Sequence, residues 1–145
     1  MTVASDDVIS KVQAALDSDE NLRSYGLEAQ GSQEKITISG VVDVLAEKWH
    51  AERVAKAVPG VGEVENAITI STDGQIDDGD VRFEVGEELG LYPEDELRLL
   101  SIEANKGVVT LRGRLSRPEL KEKAIQAAAK ARGVVGVVSK INVEE

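Results

Sequence analysis

The stretch ITISGVV (residues 36–42) decides the fold, because a second stretch, VTLRGRL (residues 109–115), matches it 73 residues later. Apolar and polar residues alternate in both stretches, which is the pattern of a half-buried β-strand. The same offset, without a gap, aligns apolar helical positions upstream and a Gly-Val pair downstream that starts at Gly60 and at Gly133. One register that aligns helices and strands together indicates an internal duplication.

Each copy contains the same series of predicted elements. An amphipathic helix opens the copy, a short extended segment and a polar turn lead into the strand quoted above, and a second helix and a last strand follow. The apolar positions of the first helix are Val8, Val12 and Leu16 in one copy and Val81, Val85 and Leu89 in the other. The predicted fold class is α+β: two tandem α-β-β-α-β modules, each a three-stranded mixed sheet with two helices packed on one face.

Local signals mark the ends of these elements. Ser116-Arg-Pro-Glu119 reads as a capping box with proline in the first turn, and Asp43 is the expected cap of the equivalent helix in the first copy. Four glycines are predicted to be structural: Gly40 and Gly113 at the end of the second hairpin strand, and Gly60 and Gly133, with positive φ, where the second helix ends.

The boundary between the copies falls in an acidic stretch. We predict a first domain over residues 1–72, an acidic linker over residues 73–79 and a second domain over residues 80–145. The acidic residues from Asp73 to Glu84 faintly resemble a calcium-binding loop, but Asp78 stands where that loop requires glycine. We therefore predict a solvated linker and no metal site.

Composition excludes several classes of function. The formal net charge of the 145 residues is −10, which argues against nucleic-acid binding. The chain has no cysteine and one histidine, so we expect neither thiol catalysis nor a zinc site. No nucleophile–base pair is recognisable, and we predict neither an enzyme nor a cofactor. The charge is uneven: residues 7–70 hold 6 basic and 11 acidic residues, and residues 80–143 hold 11 and 10.

The N-terminal sequence bears on the compartment. The first twenty residues lack the basic start and apolar run of an export signal, and no stretch has the length and apolarity of a membrane span. The expected location is the cytoplasm for the sequence as given, and the periplasm if a signal has been removed.

The element order and the glycines together resemble the BON domain, a family named for bacterial osmotically inducible and nodulation proteins. The motifs that carry the resemblance are ISGVV…PGVGEVEN in the first copy and LRGRL…RGVVGVVSKINV in the second. The resemblance implies a bacterial, non-enzymatic module that is commonly associated with phospholipid or envelope binding and with osmotic stress.

The strongest candidate site is basic. Arg112 and Arg114 are two residues apart on a predicted strand and therefore share one face, and Arg117, Lys121 and Lys123 follow at the start of the next helix. We predict that this group binds an anionic headgroup or phosphate. The alternative is a solvated surface that balances the acidic first copy.

A second candidate is an interface on the second helix of the first copy. Leu45 and Trp49 fall opposite the apolar stripe of that helix. Tryptophan off the core face often anchors a contact. The partner of Leu45 and Trp49 is either the other copy, a second chain in a homo-oligomer or a membrane surface.

Three functions follow from these observations. The leading hypothesis is a stress-related protein that binds phospholipid or another anionic surface. The second is a sensor of a small ion, such as potassium, or of a metabolite, with the ligand held by backbone carbonyls and acidic groups. The third is a protein–protein adaptor.

Overall fold

A computed structural model describes residues 4–71 and 76–144, and the chain divides into two compact units that follow the two copies except at residues 44–46. The first unit contains α1 (Ala4–Ser18), a 3-10 helix (Arg23–Tyr25), β1 (Glu28–Gly31), β2 (Lys35–Val42), α2 (Leu45–Lys56) and β3 (Glu63–Ile70). The second contains α3 (Asp78–Gly90), a 3-10 helix (Asp95–Leu99), β4 (Ser101–Asn105), β5 (Val108–Leu115), α4 (Pro118–Ala129) and β6 (Gly136–Val143).

The sheet of each unit has the predicted mixed topology. The strand order is β1-β2-β3 in the first unit and β4-β5-β6 in the second. The first two strands of each sheet form an antiparallel hairpin, and the last strand lies parallel to the central one, reached through the second helix. Both the α+β fold class and the tandem repeat are confirmed.

One face of each sheet carries the core. Alternate residues of β2 (Ile36, Ile38 and Val42) join a buried cluster with α1, α2 and Ile68 of β3. In the second unit the equivalent residues Val109, Leu111 and Leu115 are buried as well. Since successive side chains of a strand point to opposite faces, the intervening residues of each central strand lie on a second, open face.

The glycine in the middle of each central strand meets the end of a leucine side chain. Gly113 has a φ of +146°, and a Cβ atom at this position would lie 2.8 Å from Cδ2 of Leu100. Gly40 has a φ of +138°, and its Cβ would lie 2.6 Å from Cδ2 of Leu27. Both the backbone conformation and the space therefore favour glycine.

The other two predicted glycines do not stand directly at the helix ends. α2 ends at Lys56 and α4 at Ala129, several residues before Gly60 and Gly133. Their φ angles are +92° and +86°, and they turn the chain towards β3 and β6. A Cβ on Gly133 would lie 2.9 Å from Cγ2 of Val81, so this turn packs closely on α3. The prediction that Gly60 and Gly133 directly end the second helix of each copy is therefore wrong. They lie in the turn between that helix and the last strand.

The predicted capping box is wrong. The N-cap of α4 is Arg117, and its side chain makes no capping hydrogen bond. Ser116 instead donates its backbone N–H and its hydroxyl to the carboxylate of Glu96, at 2.8 and 2.7 Å. Asp43, the expected cap of α2, accepts a hydrogen bond from the hydroxyl of Tyr25 at 3.1 Å. In both units this position joins the second helix to the 3-10 segment.

The acidic residues at the start of α3 accept hydrogen bonds from backbone amides. Asp77 is the N-cap of α3 and accepts from the N–H of Asp80, which lies in the first turn. The carboxylate of Asp78 accepts from the N–H groups of Lys106 and Gly107 at 3.0 and 3.2 Å, which ties the turn between β4 and β5 to the helix. Asp73, which began the calcium-like pattern, lies outside the described residues.

We predict that Gly113→Ala lowers the free energy of unfolding by about 1–3 kcal/mol, because alanine adds both strain at positive φ and a clash with Leu100. Gly90→Ala is the matched control, since a Cβ there meets nothing within 4 Å. The control is expected to leave stability unchanged or to raise it by up to about 1 kcal/mol. Urea unfolding of both variants tests this, and equal effects would contradict the role of Gly113.

Candidate anion-binding surface

Arg112 and Arg114 lie on the open face of the second sheet. On β5, Leu111 and Leu115 point into the core, and the two arginines alternate with them. Their side chains are 47% and 74% exposed. The sequence-predicted pair therefore does share one face, and that face is turned to solvent.

The strand register adds a third cation that the sequence analysis missed. β6 pairs with β5 in parallel, and Lys140 stands directly beside Arg112. Ile141 of the same strand is buried, so Lys140 lies on the open face. Lys140 has no ion-pair partner among residues 4–71 and 76–144. We name Arg112, Arg114 and Lys140 together the basic sheet face.

Two carboxylates contact the basic sheet face. Glu103 on β4 accepts from Nε of Arg112 at 2.7 Å, and Glu144 lies 3.5 Å from Nη1 of Arg114. All four side chains are about half exposed or more. Such exposed pairs contribute only about 0–1 kcal/mol each, so an anionic ligand can replace the carboxylates at small cost.

The open face of the first sheet differs in charge. The residues equivalent to Arg112, Arg114 and Lys140 are Ser39, Val41 and Ala67. Glu63 and Glu65 on β3 also lie on that face, where they pair with Lys35 and Thr37 in the register. The duplicated module therefore folds without the basic sheet face, and the cations are a property of the second unit alone.

The other predicted cations belong to the helical layer. Arg117 is the N-cap of α4 and lies 3.7 Å from Glu119, and Lys121 is half-buried on α4. The Nζ atom of Lys123 contacts Glu94 at 2.7 Å and lies 5.9 Å from the ring centroid of Tyr92. Because α4 covers the core face of the sheet, the structure separates Lys121 and Lys123 from the arginines of β5.

His50 occupies the position in the first unit that Lys123 occupies in the second. His50 is 73 residues before Lys123, and its Nε2 atom lies 2.9 Å from the carboxylate of Asp19. In the second unit, the hydrogen bond from Lys123 lowers the pKa of Glu94. Burial raises the pKa of Asp19, but hydrogen bonds from the backbone N–H of Asn21 and from His50 outweigh it, so that the pKa is lowered overall. In each unit, this pair connects the second helix to the segment that follows the first helix.

The two residues of the predicted interface differ in exposure. Leu45 is buried, with 3% of its surface exposed, and Trp49 is half-buried. Their role as an interface stays a prediction.

Comparison with known proteins agrees with this architecture. The two units are repeats of one α-β-β-α-β module, and the family model of the BON domain matches residues 4–72 and 77–145. The chain belongs to the BON-domain family and carries two copies of the domain. It is similar to "Osmotically-inducible protein Y" of Escherichia coli (strain K12), with 28% identity over 136 residues that cover 90% of this chain and 68% of the relative.

Two solved structures of CdsD, a structural protein of the type III secretion system of Chlamydia trachomatis, share a distant likeness. Their sequence identities are 12% and 13% and their TM-scores 0.40 and 0.39. The matches cover 97% and 95% of this chain and 67% and 62% of those chains. Likeness at this level says nothing about function.

Among the described residues, no helix has the length and apolarity to cross a membrane.

We predict that Asp19→Asn weakens the acid dependence of stability. A carboxyl with a depressed pKa stabilises the fold fully above its unfolded value of about 3.9, and that contribution is lost as the pH falls through the lower, folded value. At neutral pH the variant should be less stable by up to about 1 kcal/mol, since the pair is partly solvated. Urea unfolding at a series of pH values checks this. A difference that persists unchanged at pH values well below the pKa would contradict it.

Proposed function

We propose that this protein is a non-catalytic binding protein of a bacterial stress response, and that its basic sheet face binds the headgroups of anionic phospholipids. The observation that carries the proposal is the juxtaposition of Arg112, Arg114 and Lys140 on one open β-sheet. The name of the Escherichia coli relative favours osmotic stress as the setting. The family match is to a domain and not to a catalytic family.

The geometry of the basic sheet face suits a phosphate-bearing surface. Guanidinium groups bind phosphate oxygens through two parallel N–H donors, and an ammonium group adds a point charge. Arg112 and Lys140 are register neighbours, and Arg114 follows two residues along β5. An open sheet presents these groups side by side, which suits a broad layer of headgroups better than a single enclosed ligand.

Apolar side chains accompany the cations. Val108 and Val138 share the open face and are 39% and 42% exposed. Their neighbours Thr110 and Gly136 are uncharged. The face therefore combines charge for the headgroups with modest apolar area for the interface region of a bilayer.

We predict that R112S/R114V/K140A, which installs the residues of the first unit, weakens binding to vesicles of phosphatidylglycerol and phosphatidylcholine. Each cation near an anionic surface contributes about 1 kcal/mol, so the apparent affinity at low salt should fall on the order of 100-fold. Co-sedimentation at low and high salt measures this, and vesicles of phosphatidylcholine alone should not bind the protein.

The matched control for this experiment is R82S/K130S/R132S. It removes the same charge from three exposed cations of the second unit that do not lie on β5 or β6. The control should bind nearly as well as the unchanged protein. The proposal is overturned if both variants lose affinity equally, because net charge alone would then explain binding, or if the unchanged protein does not bind at low salt.

A further inference from the structure

The second unit exposes three large apolar side chains on α3 and in the segment that follows it. Phe83, Leu91 and Leu99 are 66%, 77% and 83% exposed, more than any other large apolar residue in the described chain. Isolated exposed leucines are ordinary, but several together mark an interaction surface. We name these three residues the α3 face.

The backbone places these residues in one part of the unit. Val81, Val85 and Leu89 form the buried stripe of α3, Phe83 lies on the side of the helix away from that stripe, and Leu91 follows at the C-cap about two turns later. The guanidinium of Arg98 donates to the carbonyl of Gly90 at 3.2 Å, which holds the 3-10 helix with Leu99 against the end of α3.

The first unit shows that the fold does not need the α3 face. At the 73-residue offset, Phe83, Leu91 and Leu99 correspond to Ser10, Ser18 and Gly26. The core positions of the same helix are retained as valine, valine and leucine in both units. The fold therefore does not require apolar side chains at these three exposed positions.

The α3 face has an acidic surround. α3 holds five acidic residues and one basic residue, Arg82. Glu87 is exposed and lies between Phe83 and Leu91 on the helix surface, while Arg98 at the carbonyl of Gly90 is paired with Asp95 at 2.6 Å. The complementary partner therefore combines apolar side chains with cations.

The open face of the second sheet has this chemistry. It presents Val108 and Val138 beside Arg112, Arg114 and Lys140. The positions equivalent to Val108 and Val138 in the first unit are Lys35 and Glu65, so the apolar part of this surface is also confined to the second unit.

We propose that a second copy of this chain docks head to tail, with the α3 face of one molecule on the basic sheet face of another. This inference rests on the basic sheet face described under the proposed function, and it assigns that surface a protein ligand as well. α3 and the open face lie on opposite sides of the sheet, so one unit cannot bring its own two surfaces together. A contact between two different patches leaves a free patch on each end, and such contacts build open chains or rings.

The experiment uses two variants that each remove one of the patches. F83S/L91S/L99S removes the α3 face, and R112S/R114V/K140A removes the basic sheet face. Sedimentation velocity at low salt should show the mass of the unchanged protein rising with concentration, while each variant alone stays monomeric. A mixture of the two should form a 1:1 dimer that does not grow, since one intact α3 face and one intact basic sheet face remain.

Controls separate this contact from general effects. Val41→Ser removes an exposed valine of the first unit (54% exposed) and should leave association unchanged. Glu87→Lys keeps the apolar residues and should weaken association by charge alone, which tests the surface even if the triple variant is unstable. Circular dichroism of each variant confirms that it is folded.

Several results would overturn the head-to-tail contact. The first is that the unchanged protein remains monomeric up to about 1 mM, a concentration at which an association of about 4 kcal/mol would be detected. The second is that the mixture of the two variants gives no dimer, and the third is that F83S/L91S/L99S still associates. Loss of vesicle binding in F83S/L91S/L99S would also overturn it, since the α3 face would then be a membrane contact. If the protein binds vesicles through the basic sheet face but does not self-associate, only the head-to-tail contact is contradicted. If it self-associates but does not bind vesicles, only the lipid proposal is contradicted.

Discussion

The close contact between a glycine and a leucine side chain in each central strand is the constraint on which both units depend. The central strand pairs with both of its neighbours, so its register decides which residues face the helices and which face solvent. A slip by one residue would turn Leu111 outward and bring Arg112 into the core. Gly113 leaves room for the side chain of Leu100, which a Cβ atom at this position would approach to 2.8 Å, and this packing favours the register in which the two arginines are exposed together.

Most of the fold could be predicted from the sequence because the duplication reports each signal twice. The alternation in β2 and β5 and the four-residue spacing in α1 and α3 gave the element order that the structure confirms. Contacts between distant segments could not be read in this way. Ser116 matches a local capping pattern, yet its hydroxyl donates to Glu96, which lies twenty residues earlier in the 3-10 segment.

In the candidate site, too, contacts within one strand could be predicted from the sequence, whereas contacts between strands could not. Spacing along one strand placed Arg112 and Arg114 on a common face, but Lys140 joins them only through the pairing of β5 with β6. A parallel strand that follows a helix carries no local mark of its register. Proximity in sequence was a poor guide to the membership of the site. Lys123 follows Arg114 by only nine residues, yet it lies in the helical layer, where it contacts Glu94.

The apolar stripe of the first helix and the core positions of the central strand are apolar in both copies, whereas many exposed positions differ. A polar substitution in the core is costly, while an exposed position changes at little cost in stability. Five exposed positions of the second unit are apolar where the first unit has a polar residue or glycine (Phe83, Leu91, Leu99, Val108 and Val138). Exposed apolar residues are not confined to these positions, since Val41 of the first unit and Val135 of the second are exposed as well. The difference between the copies at these five positions, beside the different charges of the two surfaces, is what the proposed head-to-tail contact accounts for.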